Sequence, residues 1–229
     1  MSSSLALSKP TKPLLQLAII AIVIYLPQFL PPGMWLSIGS LVICTLAVFF
    51  FAWNDEKSLK RTGVINAGSF LSTLLLGILY GVIFWVLIDW VFTPFIEKLT
   101  GQVTDLTRFD KLRGDTKVFA RMMLSIWITA AFCEEVVFRG FILERIKVLT
   151  GKNWLAILLS AVAFALIHLY QGPSGITITF LAGILFGWLF IRTGYNLWVC
   201  IIAHGLVDSL FLFLVYSNLD LKLKALLGW

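Results

Sequence analysis

Polar and apolar positions alternate along this chain in long blocks. Apolar runs fall at roughly 14–30, 34–53, 66–92, 118–143, 153–170, 175–191 and 196–217. Short polar or turn-forming connections separate them: Pro31-Pro32-Gly33, Asn54 to Ile65, Gln171 to Ser174, and Arg192 to Tyr195. A bilayer core of about 30 Å takes about 20 helical residues per crossing. Lipid offers backbone polar groups no partner, so helices or closed barrels alone can span it, and the runs lack barrel-like alternation. The pattern predicts an all-α, polytopic transmembrane helix bundle of about seven spans, forming one integral membrane domain over 1–229. Trp35, Trp53, Trp90, Trp154 and Trp198 stand near the expected ends, as an interfacial aromatic belt requires.

Composition supports the same class. Hydrophobic residues make up 59% of the chain and charged ones 13%, against about 25% charged in an ordinary soluble domain. So little polar surface cannot cover so large a core, and the excess must face lipid. The expected location is the cell (plasma or inner) membrane. The net charge of +6 is spread over loops, which suits anionic headgroups and gives no reason to expect nucleic acid. Residues 1–13 are polar, and the run after them reads as a retained first span rather than a cleaved signal. The cysteines (Cys44, Cys133, Cys200) are odd in number and apolar in setting, with no disulfide framework or metal-ligand spacing. With the N-terminus inside, Lys9, Lys12, Lys57, Lys60, Arg61, Arg145, Lys147, Lys152 and Arg192 are cytoplasmic. Lys98, Arg108, Lys111, Arg113, Lys117, Lys222 and Lys224 face the other side, nine against seven by the positive-inside rule. The longest polar insert, 97–117, reads as a loop or surface helix.

Ionisable groups at bilayer depth are costly, and by default they mark function or a structural pair. The fourth span carries Cys133-Glu134-Glu135-Val136-Val137-Phe138-Arg139-Gly140, the fifth Phe164-Ala165-Leu166-Ile167-His168, and the seventh His204-Gly205-Leu206-Val207-Asp208. The third has one acid, Asp89, close to its expected end. Glu135 and Arg139 are i, i+4 neighbours and form an expected pair. Glu134 lies about 140° around the helix from Arg139 and stays chemically available. His204 and Asp208 also share a face, where Asp208 either orients the imidazole or pairs with it. Counted along the helices, Glu134 lies roughly 18 Å and His168 roughly 21 Å from the turn near Gly151. His204 and Asp208 lie roughly 12 and 18 Å into the last span, so one layer can hold all four. Phe138, Phe141 and Phe164 read as packing that keeps this layer dry, Asp89 as interfacial, and Glu144, Arg145 and Lys147 as a solvated helix end.

Glu-Glu-x-x-x-Arg at 134–139, Phe-x-x-x-His at 164–168 and His-x-x-x-Asp at 204–208 resemble the three motifs of the CPBP intramembrane proteases. That family includes the CAAX prenyl endopeptidases. The resemblance covers roughly 118–217, a four-span catalytic core; the three spans over 14–92 are generic. Gly183, Gly187, Arg192-Thr193-Gly194 and Asn196-Leu197-Trp198 also look like the family. The resemblance implies a glutamate-dependent endopeptidase without a cofactor, acting on a peptide or protein substrate at the bilayer, lipidated or not. It implies that Glu134 is the base activating water with the help of His168, and that His204 and Asp208 stabilise the oxyanion. Glu135, Arg139 and Phe164 support them. Some relatives carry Asn at the position of Asp208; an ionised aspartate cannot donate to an oxyanion, so it acts either protonated or by holding His204. Two alternatives stand beside this reading. Glu134, His168 and His204 form a donor set that zinc accepts, and buried acids with histidines also serve membrane transport or peptide binding without catalysis.

Overall fold

A computed structural model describes residues 11–30, 34–65, 68–104 and 107–227, which are helical with no strand among them. Seven main helices fall on the seven apolar runs. They are α1 (Thr11–Tyr25), extended by a 3-10 turn (Leu26–Phe29), α2 (Met34–Glu56), α3 (Phe70–Thr100), α4 (116–150), α5 (Asn153–Leu166), α6 (Gly172–Arg192) and α7 (Leu197–Tyr216). A short α8 (Leu219–Leu227) follows. Five of these segments, Thr11–Phe29, α2, α3, Leu169–Arg192 and α7, are long and apolar enough to cross a membrane. The expected turn at Pro31-Pro32-Gly33 lies outside the described residues.

Contacts between helices show the alternation of direction that successive crossings demand. Lys12 and Ile20 meet Asp55 and Cys44, so α1 and α2 are antiparallel. A Cβ on Gly183 would meet Ala161 and one on Gly187 would meet Ile157, so α5 and α6 are antiparallel too. Thr73, Gly77 and Gly81 face Asn196, Ile202 and Leu206, so α3 and α7 run parallel. Two of these seams use glycines four residues apart. A Cβ at Gly77 or Gly183 would come within 2.6 or 2.9 Å of the partner helix. Small residues are what let backbones approach where lipid supplies no hydrophobic drive between helices.

Three departures from the sequence pattern bear on the site. First, α3 runs on to Thr100 through a π-helical turn, Val86–Phe92, so Asp89 and Trp90 sit within the helix rather than at its end. Trp90 packs edge-on against Trp85, with ring centroids 5.9 Å apart. Second, α4 contains two π-helical stretches, Trp127–Glu134 and Phe138–Leu143, flanking the α-turn Glu135–Val137. π-Turns insert an extra residue into a helix and concentrate at functional sites. Third, α5 has only 14 residues, and His168 lies past its end in the reversal leading to α6. That reversal closes through a 3-10 turn (Leu169–Gln171) and Gly172, whose φ of 73° favours glycine.

The far end of α4 is not solvated. Glu144 and Arg145 are buried in an ion-pair cluster. Arg145 reaches Asp55 at 2.7 Å, and Asp55 also holds Lys12 at 2.5 Å. Arg61 bridges Glu56 and Glu144. These charges fasten α1, α2 and the 60–62 turn onto the helix that carries the glutamates. At the opposite end, the insert ties α6 to α7. The Ser174 hydroxyl donates to the Gln102 carbonyl, while Arg113 pairs with Asp220 through both nitrogens at 2.8 Å and donates to the Val215 carbonyl.

Gly140 is the point where α4 meets the 60–62 turn, and a Cβ there would stand 2.7 Å from the Thr62 carbonyl oxygen. Overpacking against backbone costs about 1–3 kcal/mol. Gly140→Ala is expected to lower the thermal unfolding midpoint in detergent. Gly39→Ala, which meets nothing within 4 Å, is expected to leave it unchanged.

Candidate active site

The two glutamates sit where the first π-stretch of α4 gives way to an α-turn. Glu135 is fully buried and Arg139 is 1% exposed. Arg139 Nη1 donates to Glu135 Oε1 at 2.9 Å, the pair expected from spacing. The same oxygen also meets His204 Nδ1 at 2.8 Å, a contact made across helices from α7. Since a carboxylate can only accept, Nδ1 carries a proton, and Nε2 is the nitrogen left to act. Asp208 Oδ2 stands 3.7 Å from Nε2, within ion-pair reach but beyond a hydrogen bond. Glu135, not Asp208, therefore orients this imidazole.

Glu134 is half-buried and accepts no hydrogen bond from a described residue, as its position on the wheel suggested. Its electrostatic neighbours are His204, Asp208, Glu135 and Arg139. His168 enters from the end of α5. Its Nδ1 lies 3.0 Å from the Phe164 carbonyl oxygen, which also can only accept, so in the neutral ring Nε2 keeps its lone pair.

Aromatic rings fill the space between these groups. Phe164 packs edge-on to both imidazoles, with centroids 4.8 Å from His168 and 6.3 Å from His204. The Arg139 guanidinium lies 4.5 Å from the Phe164 centroid and 5.3 Å from that of Phe186, cation–π contacts that suit a desolvated cation. Phe186 lies 5.0 Å from the His204 ring. Phe138, Phe141 and Phe164 are all buried, which keeps water from the charged pair. On the far side, Trp127 lies flat against Gly205 and donates to Ser209 at 3.1 Å. Ser209 in turn donates to the Gly205 carbonyl at 2.5 Å. This seats the π-stretch of α4 against α7 beside His204 and Asp208.

Spacing alone did not point to Phe186, Trp127 or Ser209, which act across helices and leave no local pattern. Nor did it mark Ser160, which donates to the Phe138 carbonyl at 2.9 Å from α5. Among the described residues, no group of three or more His, Cys, Asp or Glu side chains stands close enough together to hold a metal ion.

Residues 116–210 match the family model described as Type II CAAX prenyl endopeptidase Rce1-like. Over this segment the chain is similar to the Rce1-like family. The match begins with α4 and ends two residues past Asp208, so the Rce1-like segment holds every residue of the layer just described. Helices α1 to α3 lie outside it. No curated protein and no solved structure gives a match.

Removing one member of a buried ion pair costs about 3–5 kcal/mol, because the other charge is left unpaired. Glu135→Leu and Arg139→Leu are each expected to destabilise the protein by that order in chemical denaturation. The double variant should lose less than the sum, and strict additivity would show that the two charges do not depend on each other.

Proposed function

We propose that this chain is an intramembrane endopeptidase that hydrolyses a peptide bond with water activated by Glu134. The observation that carries the reading is the arrangement at Glu135. One buried oxygen holds Arg139 and fixes His204, leaving Glu134 without a hydrogen bond and Nε2 of His204 turned toward Asp208 at 3.7 Å. The match of residues 116–210 to the Rce1-like family model supports a protease, with a peptide or protein as its substrate.

The step balances as follows. Glu134 takes a proton from water while the water oxygen bonds to the scissile carbonyl carbon. His168, with its Nε2 lone pair, holds the same water on line. The carbonyl oxygen becomes an oxyanion and receives a hydrogen bond from His204 Nε2. Glu134 then passes its proton to the amide nitrogen, the C–N bond breaks, and a carboxylic acid and an amine leave. Donation from Nε2 requires His204 as an imidazolium, since Nδ1 already donates to Glu135. Arg139 and the imidazolium then face Glu135, Asp208 and the ionised Glu134, and the one excess negative charge moves from Glu134 to the oxyanion as the water proton is taken. Asp208 is the counter-ion on the working side of the ring and never has to donate. Stabilisation of this kind is worth about 3–4 kcal/mol per oxyanion donor.

Helices α5 and α6 expose an apolar groove lined by Val162, Ala165, Leu166, Ile176, Thr177 and Phe180. A lipidated or membrane-embedded peptide fits such a wall. The family description names prenylated CAAX termini, so matched peptides with and without a prenyl group are the first substrates to assay.

Glu134→Gln, His168→Ala and His204→Ala, purified and assayed separately, are each expected to lower kcat by at least about 10²-fold. Asp208→Asn should keep substantial activity, because the counter-ion is replaced by a donor. Undiminished cleavage by Glu134→Gln protein would sink the mechanism.

A further inference from the structure

The second π-stretch of α4 begins at Phe138, one residue before Arg139. Helices leave their regular course at π-turns and where a side chain inserts into the backbone ladder. Both happen at Phe138. The Ser160 hydroxyl of α5 donates to its carbonyl oxygen at 2.9 Å. Phe138 is fully buried and Ser160 is 3% exposed, so this bond lies out of solvent.

Register is what connects the bond to the site. One residue of helical register is worth about 100° of azimuth and about 1.5 Å of rise. Beyond the π-stretch α4 is anchored, because Arg145 reaches Asp55 of α2 at 2.7 Å. A change of register within Phe138–Leu143 is therefore passed to the other side, where Glu134 and Glu135 stand.

Helix α5 holds this junction at two points. Ser160 and Phe164 are four residues apart and share a face. Ser160 takes the Phe138 carbonyl, while Phe164 packs edge-on against the Phe138 ring, with centroids 5.2 Å apart. The Phe164 ring also carries the Arg139 guanidinium at 4.5 Å. Behind this face α5 has no slack, since a Cβ on Gly183 of α6 would come within 2.9 Å of Ala161. The ring contact tolerates rotation and small slides. The hydroxyl bond is directional and made to the backbone itself, so it is the one that selects a register.

We infer that Ser160 is a positioning residue. Its bond to the Phe138 carbonyl fixes the register of α4 in which Arg139 meets Glu135 and Glu135 meets His204. The catalytic meaning of this role rests on the endopeptidase reading; the register itself does not.

His204 reports the register through its Nδ1 contact with Glu135. The chain has two histidines in all, so imidazole ¹⁵N spectra of the full-length protein in nanodiscs carry two ring systems, assigned with His168→Ala. Ser160→Thr and Ser160→Val match in shape and differ in the hydroxyl, so added bulk weighs on both alike. Ser160→Val is expected to move the His204 Nδ1 resonance away from its hydrogen-bonded position. It should also lower kcat about tenfold with little change in KM. Ser160→Thr should stay near the wild type in both. Ser160→Ala, which adds no volume, should behave as Ser160→Val does and serves if that variant does not fold. Its unfolding midpoint should stay near that of the wild type, because interhelical hydrogen bonds add little stability in membranes. Thr73→Val removes a different interhelical bond, the one Asn196 donates at 2.8 Å, and as the control should leave His204 and kcat unchanged. An unchanged His204 spectrum in Ser160→Ala, equal effects of Ser160→Thr and Ser160→Val, or the same effect from Thr73→Val would overturn the inference. A His204 shift in Ser160→Ala and Ser160→Val but not in Ser160→Thr, in a protein that cleaves no peptide, would uphold the positioning role and count against the endopeptidase reading instead.

Discussion

One carboxylate oxygen, Glu135 Oε1, holds a guanidinium from its own helix and an imidazole from α7, both within 2.9 Å. Burying three ionisable groups in an apolar bundle is expensive, and one unpaired charge there costs more than the pair returns. The surrounding structure reads as a response to that constraint. Phe164 and Phe186 cover the guanidinium with ring faces. Gly205 lets Trp127 lie flat against α7, which sets the spacing between the helices that share the oxygen. With Glu135 and Arg139 spent on each other and on His204, the neighbouring carboxylate is left without a fixed partner, and a group without one is available for proton transfer.

Helix irregularity is the second device. α4 reaches the site through two π-stretches and α5 stops short of it. A uniform α-helix would satisfy every backbone group and present its side chains on fixed 100° steps. A π-turn re-aims side chains, and a helix end opens carbonyls that a histidine can use. Both cost backbone hydrogen bonding, and other helices supply donors. Ser160 serves the Phe138 carbonyl, and Tyr25 and Gln28 serve α5.

The membrane fold was legible because hydropathy over about 20 residues integrates a strong physical signal. The expected helices all form, and their pairwise directions agree with alternate crossings. The Glu135–Arg139 pair was legible for the same kind of reason, since i, i+4 contact follows from helix geometry alone. The Glu135–His204 contact was not, because residues 69 positions apart meet only through packing. Local spacing suggested Asp208 for that role. Arg145 reads as solvent-facing by its flanks, yet Asp55 and Glu144 bury it. The first three spans look generic in sequence because their contribution is a few hydrogen bonds and one ion cluster, which leave no motif.

The central claim is that Glu135 holds His204 as the donor to a developing oxyanion. A peptidyl phosphonate, whose tetrahedral anion mimics that state, tests it directly, because transition-state mimics bind at least about 10²-fold tighter than substrates. The account predicts that Glu135→Gln protein, shown to be folded, binds the phosphonate far more weakly than the wild type does while its affinity for the uncleaved parent peptide barely changes. Equal weakening for both ligands, or a phosphonate that binds the wild type no better than the peptide, would contradict it.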